Sequence, residues 1–182
     1  MALERMWNVS DSPAHFMQEA LKVAAEGLEQ GELPIGAVVV LDGQIIARAH
    51  TAEVSERRML VHAELLALLQ ADRLVSGAKK RADVALYTTL EPCLMCLGAT
   101  MSFFLGQIYY ALEAPGDGAV ALARQWQRKE EGFPAYHLPS MEGGLLRQES
   151  MDLFKAYINQ YPPASQPLWE WVRTLVRSLE HL

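Results

Sequence analysis

His62-Ala63-Glu64 and Pro92-Cys93-Leu94-Met95-Cys96 are the two stretches on which the reading of this chain turns. A histidine and a C-x-x-C pair offer three ligands to a borderline metal ion such as zinc. Three protein ligands leave one tetrahedral position for water, the mark of a catalytic rather than a structural zinc site. Glu64 stands two residues past the histidine, beside that open position. The surroundings of both stretches set the fold class. Val84 to Thr89 (VALYTT) reads as a strand, and the segment with both cysteines follows it at once. Pro92 suits the start of a helix, and cysteines three apart fall on one face of its first turn. His62 likewise opens a helix, with Ala63, Leu65, Leu66, Leu68 and Leu69 as its apolar side. Helix N-termini carry positive partial charge, which favours the thiolates that a metal needs. Ligands gathered where strands end and helices begin are characteristic of α/β domains.

Reading outward gives the remaining elements. Ser12-Pro13 is a cap followed by Pro at the first helical position, and Phe16, Met17, Ala20, Leu21, Val23, Ala24 and Leu28 recur at helical spacing up to Gly31. Pro34 to Leu41 (PIGAVVVL) is the continuous apolar run of a strand buried on both faces. Asp42-Gly43 is a hairpin turn, which returns the chain along Gln44 to Ala49. Residues 50–60 have no clear period. Ser76-Gly77 and the basic run to Arg81 end the His62 helix, and Gln107 to Leu112 is a fourth strand. Pro115-Gly116-Asp117-Gly118 is a turn, residues 119–131 suit a helix, and 132–142 read as irregular loop. Leu145 to Tyr161 reads as a helix ended by Pro162-Pro163. A last helix from Pro167 carries Leu168, Val172, Leu175, Leu179 and Leu182 as one stripe. The order α-ββ-α-β-α-β-α gives a layered α/β domain with helices on both faces of a mixed sheet.

With 182 residues, 51% hydrophobic and 21% charged, the chain suits one domain. We expect residues 1–182 to form it, with 162–182 an added C-terminal helix. No apolar run approaches the roughly 20 residues of a membrane helix, and Met1-Ala2-Leu3-Glu4-Arg5 does not open a secretory signal. The expectation is a cytoplasmic protein without membrane contact. A net charge of −6 lacks the basic footprint of nucleic-acid binders. Local basic runs (Arg57-Arg58, Lys79-Lys80-Arg81, Arg124 to Lys129) read more simply as solvated surface.

Other readings of the two stretches stay open at this level. Cys93 and Cys96 are the only cysteines, and a disulfide between them would constrain little of the unfolded chain. A redox C-x-x-C is a fairer rival, although it would have no use for the upstream His-x-Glu. A non-catalytic structural zinc module would need a fourth ligand, for which His50 and His137 are the candidates. The catalytic reading gives every group a task. Two thiolates cancel the charge of the ion, making the ionisation of its water harder, so a nearby base is useful. Glu64 can take the proton and return it to a leaving amine. The pattern H-x-E…P-C-x-x-C is the signature of zinc nucleobase deaminases, which attack C4 of cytosine or C6 of adenine and release ammonia.

The chain resembles the zinc-dependent cytidine and deoxycytidylate deaminase superfamily, and within it the bacterial tRNA adenosine deaminases and guanine deaminases. The likeness lies in Glu32 to Val40 (ELPIGAVVV), His62 to Leu68 (HAELLAL) and Leu90 to Ala99 (LEPCLMCLGA), within residues 12–118, and extends to the helix from Glu142. The resemblance implies a three-layer α-β-α sandwich around a central five-stranded mixed sheet, and a homodimer. It implies one zinc per subunit on His62, Cys93 and Cys96, with Glu64 as the catalytic proton shuttle. It further implies substrate contacts from Thr51 and from the backbone around Ala63, Pro92 and Cys93. Relatives carry Asn where this chain has Thr51, eleven residues before His62, and Pro-Thr-Ala where it has Met59-Leu60-Val61. Their polar and basic segment is replaced by Glu113 to Gly118, and the tail holds Trp169 and Trp171 instead of a basic extension. A hydroxyl at position 51 cannot engage two polar atoms side by side as an amide does. These departures turn the expectation toward a free nucleobase, nucleoside or related amino-heterocycle, with the tRNA wobble adenosine as the alternative.

Overall fold

The computed structural model describes residues 12–127, 136–161 and 168–181. Helix α1 (Pro13–Glu29) begins where the Oγ of Ser12 accepts the N–H of His15 at 3.2 Å, with Pro13 at its first position. It ends before Gly31, whose φ of 86° no side-chain-bearing residue adopts cheaply. Strands β1 (Gly36–Leu41) and β2 (Gln44–His50) form the expected hairpin. Asp42 and Gly43 both have positive φ, 52° and 75°, as a two-residue turn matching the strand twist requires.

The sheet order is β2-β1-β3-β4-β5. Strand β3 (Ala85–Leu90) runs antiparallel to β1, while β4 (Gln107–Leu112) and β5 (Ser140–Gly143) follow parallel to β3. The sheet is thus mixed and five-stranded, with helices on both sides. Because side chains alternate along a strand, β1 serves both layers. Val38 and Val40 pack with Phe16, Met17, Ala20 and Val23 of α1. Ala37 and Val39 belong to the larger cluster on the opposite face. Gly36 lets α1 lie directly on the sheet, since a Cβ there would strike the backbone of Ala20 and Ala24. The opposite face is covered by α3 (Ala63–Asp72) and α5 (Leu94–Phe103), the two helices that begin within the His62-Ala63-Glu64 and Pro92-to-Cys96 stretches.

The remaining helices are α2 (Glu53–Glu56), α4 (Ala78–Arg81), α6 (Val120–Ala123), α7 (Arg147–Gln160) and α8 (Trp169–Glu180). α7 packs on α1, β4 and α8, and α8 contributes Val172, Leu175, Val176 and Leu179 to the core. No described helix is long and apolar enough to cross a membrane.

Several boundaries differ from expectation. Residues 50–60 contain the single turn α2, held because the buried carboxylate of Glu32 accepts the N–H groups of Val54 and Ser55 at 2.9 and 2.7 Å. The basic run after Gly77 forms the short α4 instead of only breaking the helix. Within the described part of the helix expected over 119–131, residues 119–127, only α6 is helical; its expected end lies outside the described residues, as do Pro162-Pro163 and Pro167. The segment expected to be irregular over 132–142 ends in β5, whose Ser-Met-Glu-Gly sequence carries no strand pattern of its own. β4 supplies the template by pairing Gln107 to Tyr110 with Ser140 to Gly143.

Candidate active site

Both ligand stretches sit at helix caps. His62 is the N-cap of α3 and Cys93 the N-cap of α5, each in extended conformation, so Cys93 lies just before its helix and Cys96 within the first turn. Pro92 precedes the cap rather than occupying the first helical position. β3 and β1 fix where these caps meet. The Oγ1 of Thr89, near the end of β3, accepts the N–H of Gly36 at 3.0 Å. The Oγ of Ser150 on α7 donates to the carbonyl of Thr89 at 2.7 Å.

The Nδ1 of His62 lies 3.5 Å from the Sγ of Cys93 and 3.6 Å from that of Cys96. Zn–S bonds of 2.3 Å and Zn–N bonds of 2.0–2.1 Å at the tetrahedral angle require N···S separations of about 3.6 Å. The three groups are therefore spaced as zinc ligands. The donor set fits zinc equally well: two soft sulfurs and an imidazole nitrogen. Neither His50, whose Nδ1 bonds the carbonyl of Thr51 at 2.7 Å, nor His137 joins the cluster. Among the described residues no fourth ligand closes it.

Glu64 is 3% exposed, with Oε2 3.6 Å from the Sγ of Cys96. Burial raises its carboxyl pKa to about 7, within reach of both protonation states near neutrality. Without metal, a hydrogen bond with Cys96, followed by His62, pulls the Cys93 thiol down to about 4. The same contact with Cys93 pushes the Cys96 thiol up, as do its burial and the Glu64 carboxylate. His62 is raised to about 10, first by Cys93 and then by Glu53, whose Oε1 lies 3.6 Å from Nε2.

A cavity of about 260 Å³ opens beside this cluster. Thr51, Ala63, Glu64, His62 and Cys93 line it; Pro92 does not, and its carbonyl accepts the N–H of Ala119 at 2.9 Å. Thr51 is buried, and its hydroxyl lies 3.1 Å from Oε2 of Glu53 and 3.2 Å from the carbonyl of Val61. Among the lining residues that the sequence did not point to are Glu53, Asp117, Leu168 and Trp171. Asp117 reaches the cavity because Glu91 holds its loop. The Glu91 carboxylate accepts the N–H of Ala114 at 3.0 Å and that of Val120 at 2.9 Å. Gly118 passes so close to Glu91 that a Cβ would overlap its carboxylate, and it bridges to Cys93. The signal for this device was the Gly116-Asp117-Gly118 turn itself. Burial raises the Asp117 carboxyl pKa, and the neighbouring Cys93 charge adds to it.

The family described as "Cytidine and deoxycytidylate deaminase zinc-binding region" matches residues 10–112, which contain the whole cluster. The chain belongs to this family. It is a hydrolytic deaminase with a zinc-binding domain. It is 34% identical over 145 residues to a tRNA-specific adenosine deaminase of Bacillus subtilis (strain 168), covering 80% of this chain and 88% of that protein. A solved structure from a study of A-to-I editing by tRNA:A34 deaminases at the wobble position of transfer RNA is 32% identical. It superposes with a TM-score of 0.65, covering 76% of this chain and 98% of that one. A mutant of NE0047 in complex with 8-azaguanine is 26% identical with a TM-score of 0.65, covering 82% and 86% of the two chains.

Proposed function

We propose that this deaminase acts on a free nucleobase, nucleoside or related amino-heterocycle, with His62, Cys93 and Cys96 holding one zinc per subunit and Glu64 moving the proton. The observation that carries the substrate class is the charge of the cavity wall. Among the described residues it presents Glu53, Glu64, Glu91 and Asp117 and no lysine or arginine. Phosphate recognition relies on Arg, Lys or backbone nests, whereas carboxylates accept hydrogen bonds from ring N–H and amino groups. At about 260 Å³ the cavity is near the lower end, roughly 300 Å³, of small-molecule sites. The basic runs add little pull on RNA: Arg58, Lys80 and Arg81 are each held by a carboxylate, of Glu56, Asp42 and Asp72. A purine is further supported by the 8-azaguanine bound in the NE0047 structure.

Zinc on these ligands would supply Lewis acidity, bringing the pKa of a coordinated water from 15.7 toward about 7. The Glu64 carboxylate takes the proton of the attacking water and delivers it to the departing amino nitrogen. Water oxygen bonds the amidine carbon, the C–N bond breaks and ammonia leaves. The N–H of Ala63, at the first turn of α3 where no intrahelical partner exists, and the cap at Cys93 face the reacting region. Thr51 lines the same cavity with its hydroxyl turned to Glu53 and Val61, and Pro92, outside the lining, precedes the cap at Cys93. Residues 1–182 act as one deaminase domain, supported by the core that α8 shares with α7.

The second reading, deamination of adenosine at the tRNA wobble position, is favoured by the 34% identity to the Bacillus subtilis enzyme. A homodimer is supported by an apolar hollow on α5, where Leu94, Trp126 and Tyr136 are exposed. A reducing, cytoplasmic location suits thiols that must stay free to hold metal. The deciding experiment measures ammonia released from bases, nucleosides, nucleotides and an anticodon stem-loop. The proposal requires turnover of an unphosphorylated base or nucleoside above that of the stem-loop; the reverse order assigns the tRNA reaction.

A further inference from the structure

One wall of the cavity comes from the far end of the chain. Leu168 and Trp171, at and within the start of α8, line it together with His62 and Cys93. α8 is fixed in place. Val172, Leu175, Val176 and Leu179 are buried on one side of it. The Nε1 of Trp169 donates to the carbonyl of Ile158 at 3.3 Å, and Lys155 of α7 pairs with Glu180 at 2.8 Å. Trp171 stands next to this buried stripe, about 100° around the helix from Val172. It is half-buried, and its ring centroid lies 6.4 Å from that of Phe154, which is completely buried. The indole N–H has no hydrogen-bond partner among the described residues. Trp169, by contrast, spends its N–H on α7 and carries Arg173 over its ring. Two tryptophans separated by one residue therefore differ: one anchors the helix, and the other is left against the cavity with an aromatic surface and an unused donor.

We propose that Trp171 is a specificity-determining residue of the deamination site. Its indole packs against the flat heterocycle, and α8 narrows the cavity so that it admits one free base or nucleoside and not an anticodon loop. The inference rests on the small-substrate reading above and extends it to a residue outside the zinc-binding region. The chemistry recognised is a planar, amino-bearing ring of one or two cycles: an aromatic wall offers its face to any such ring, while Glu53 and Asp117 accept from its polar edge. An aromatic wall acts equally on bound substrate and transition state, so its loss raises KM and leaves kcat in place.

The test compares Trp171→Ala and Trp171→Phe with the unaltered full chain, zinc-loaded, using guanine, adenine, cytosine, their nucleosides and an anticodon stem-loop. Ammonia release gives KM and kcat. Quenching of tryptophan emission by the same compounds is also read in Glu64→Gln, where turnover is removed. For the preferred base, Trp171→Ala is expected to raise KM about 5- to 160-fold, the range of base–aromatic stacking, with unchanged zinc content. Trp171→Phe is expected to restore KM but, lacking the indole, to lose most of the quench. An unchanged KM in Trp171→Ala overturns the inference, as does a KM defect that Trp171→Phe fails to rescue, or no quenching by any base. Faster turnover of the stem-loop than of any base by the unaltered chain overturns it too. Ammonia release that depends on Glu64 but is indifferent to Trp171 removes this inference alone, whereas no release from any base removes the small-substrate reading itself.

Discussion

Replacing Glu91 by Gln tests how the loop beside the site is held. The Glu91 carboxylate accepts two backbone N–H groups, from Ala114 and Val120, on either side of the Asp117 turn. A carboxamide has one acceptor oxygen, so Glu91→Gln can keep only one of these bonds and presents an NH2 group to the other donor. Hydrogen bonds to charged groups contribute about 1.5–3 kcal/mol each, and one of the two is lost. For a domain of this size, each kcal/mol shifts Tm by about 2–4 °C. The expected fall is therefore about 3–12 °C in scans of the zinc-loaded protein. Because Gly118 bridges to Cys93, KM should rise in the same variant while zinc remains bound. A Tm within about 1 °C of the unaltered protein, well below the shift worked out from one bond, would refute the reasoning that Glu91 pins this loop.

Zinc should act as a folding ligand: at free zinc 100 times its Kd the stabilisation is about 2.7 kcal/mol, so chelation should lower Tm measurably and zinc should restore it. In metal-free protein, alkylation by iodoacetamide should favour Cys93. Its thiol pKa of about 4 keeps it ionised from pH 5 to 8, and its rate should stay nearly flat where an ordinary thiol slows as pH falls. Glu53→Gln should weaken zinc retention by about 10- to 100-fold in chelator competition, since a carboxylate facing the outer nitrogen of a ligating histidine sets its orientation.

What the sequence made legible follows from how local each signal is. The helix start at His62, the hairpin at Asp42-Gly43 and the buried run of β1 are written in contiguous residues and appear where those residues place them, whereas the cysteine helix starts at Leu94, two residues past Pro92. β5 was not legible because its four residues have no alternation of apolar and polar character; pairing with β4 makes them a strand. α2 was hidden for a similar reason, being held by Glu32 from 22 positions away in the chain. The metal cluster could be read from spacing because tetrahedral geometry constrains it. The cavity wall could not, since Glu53, Asp117 and Trp171 meet only through the packing of three separate elements. Thr51, singled out for its place before His62, does line the cavity, yet its hydroxyl faces Val61 and Glu53. That contact was invisible until Glu53 was in place.

The central claim is that a carboxylate which is not a ligand moves the proton at a zinc held by His62, Cys93 and Cys96. Zinc content and ammonia release measured together on the unaltered protein and on Glu64→Gln test it most directly. The account predicts about one zinc per chain in both and a fall of about 10²- to 10⁴-fold in ammonia release. Unchanged release from Glu64→Gln, or activity lost only because zinc is lost with it, would contradict the account.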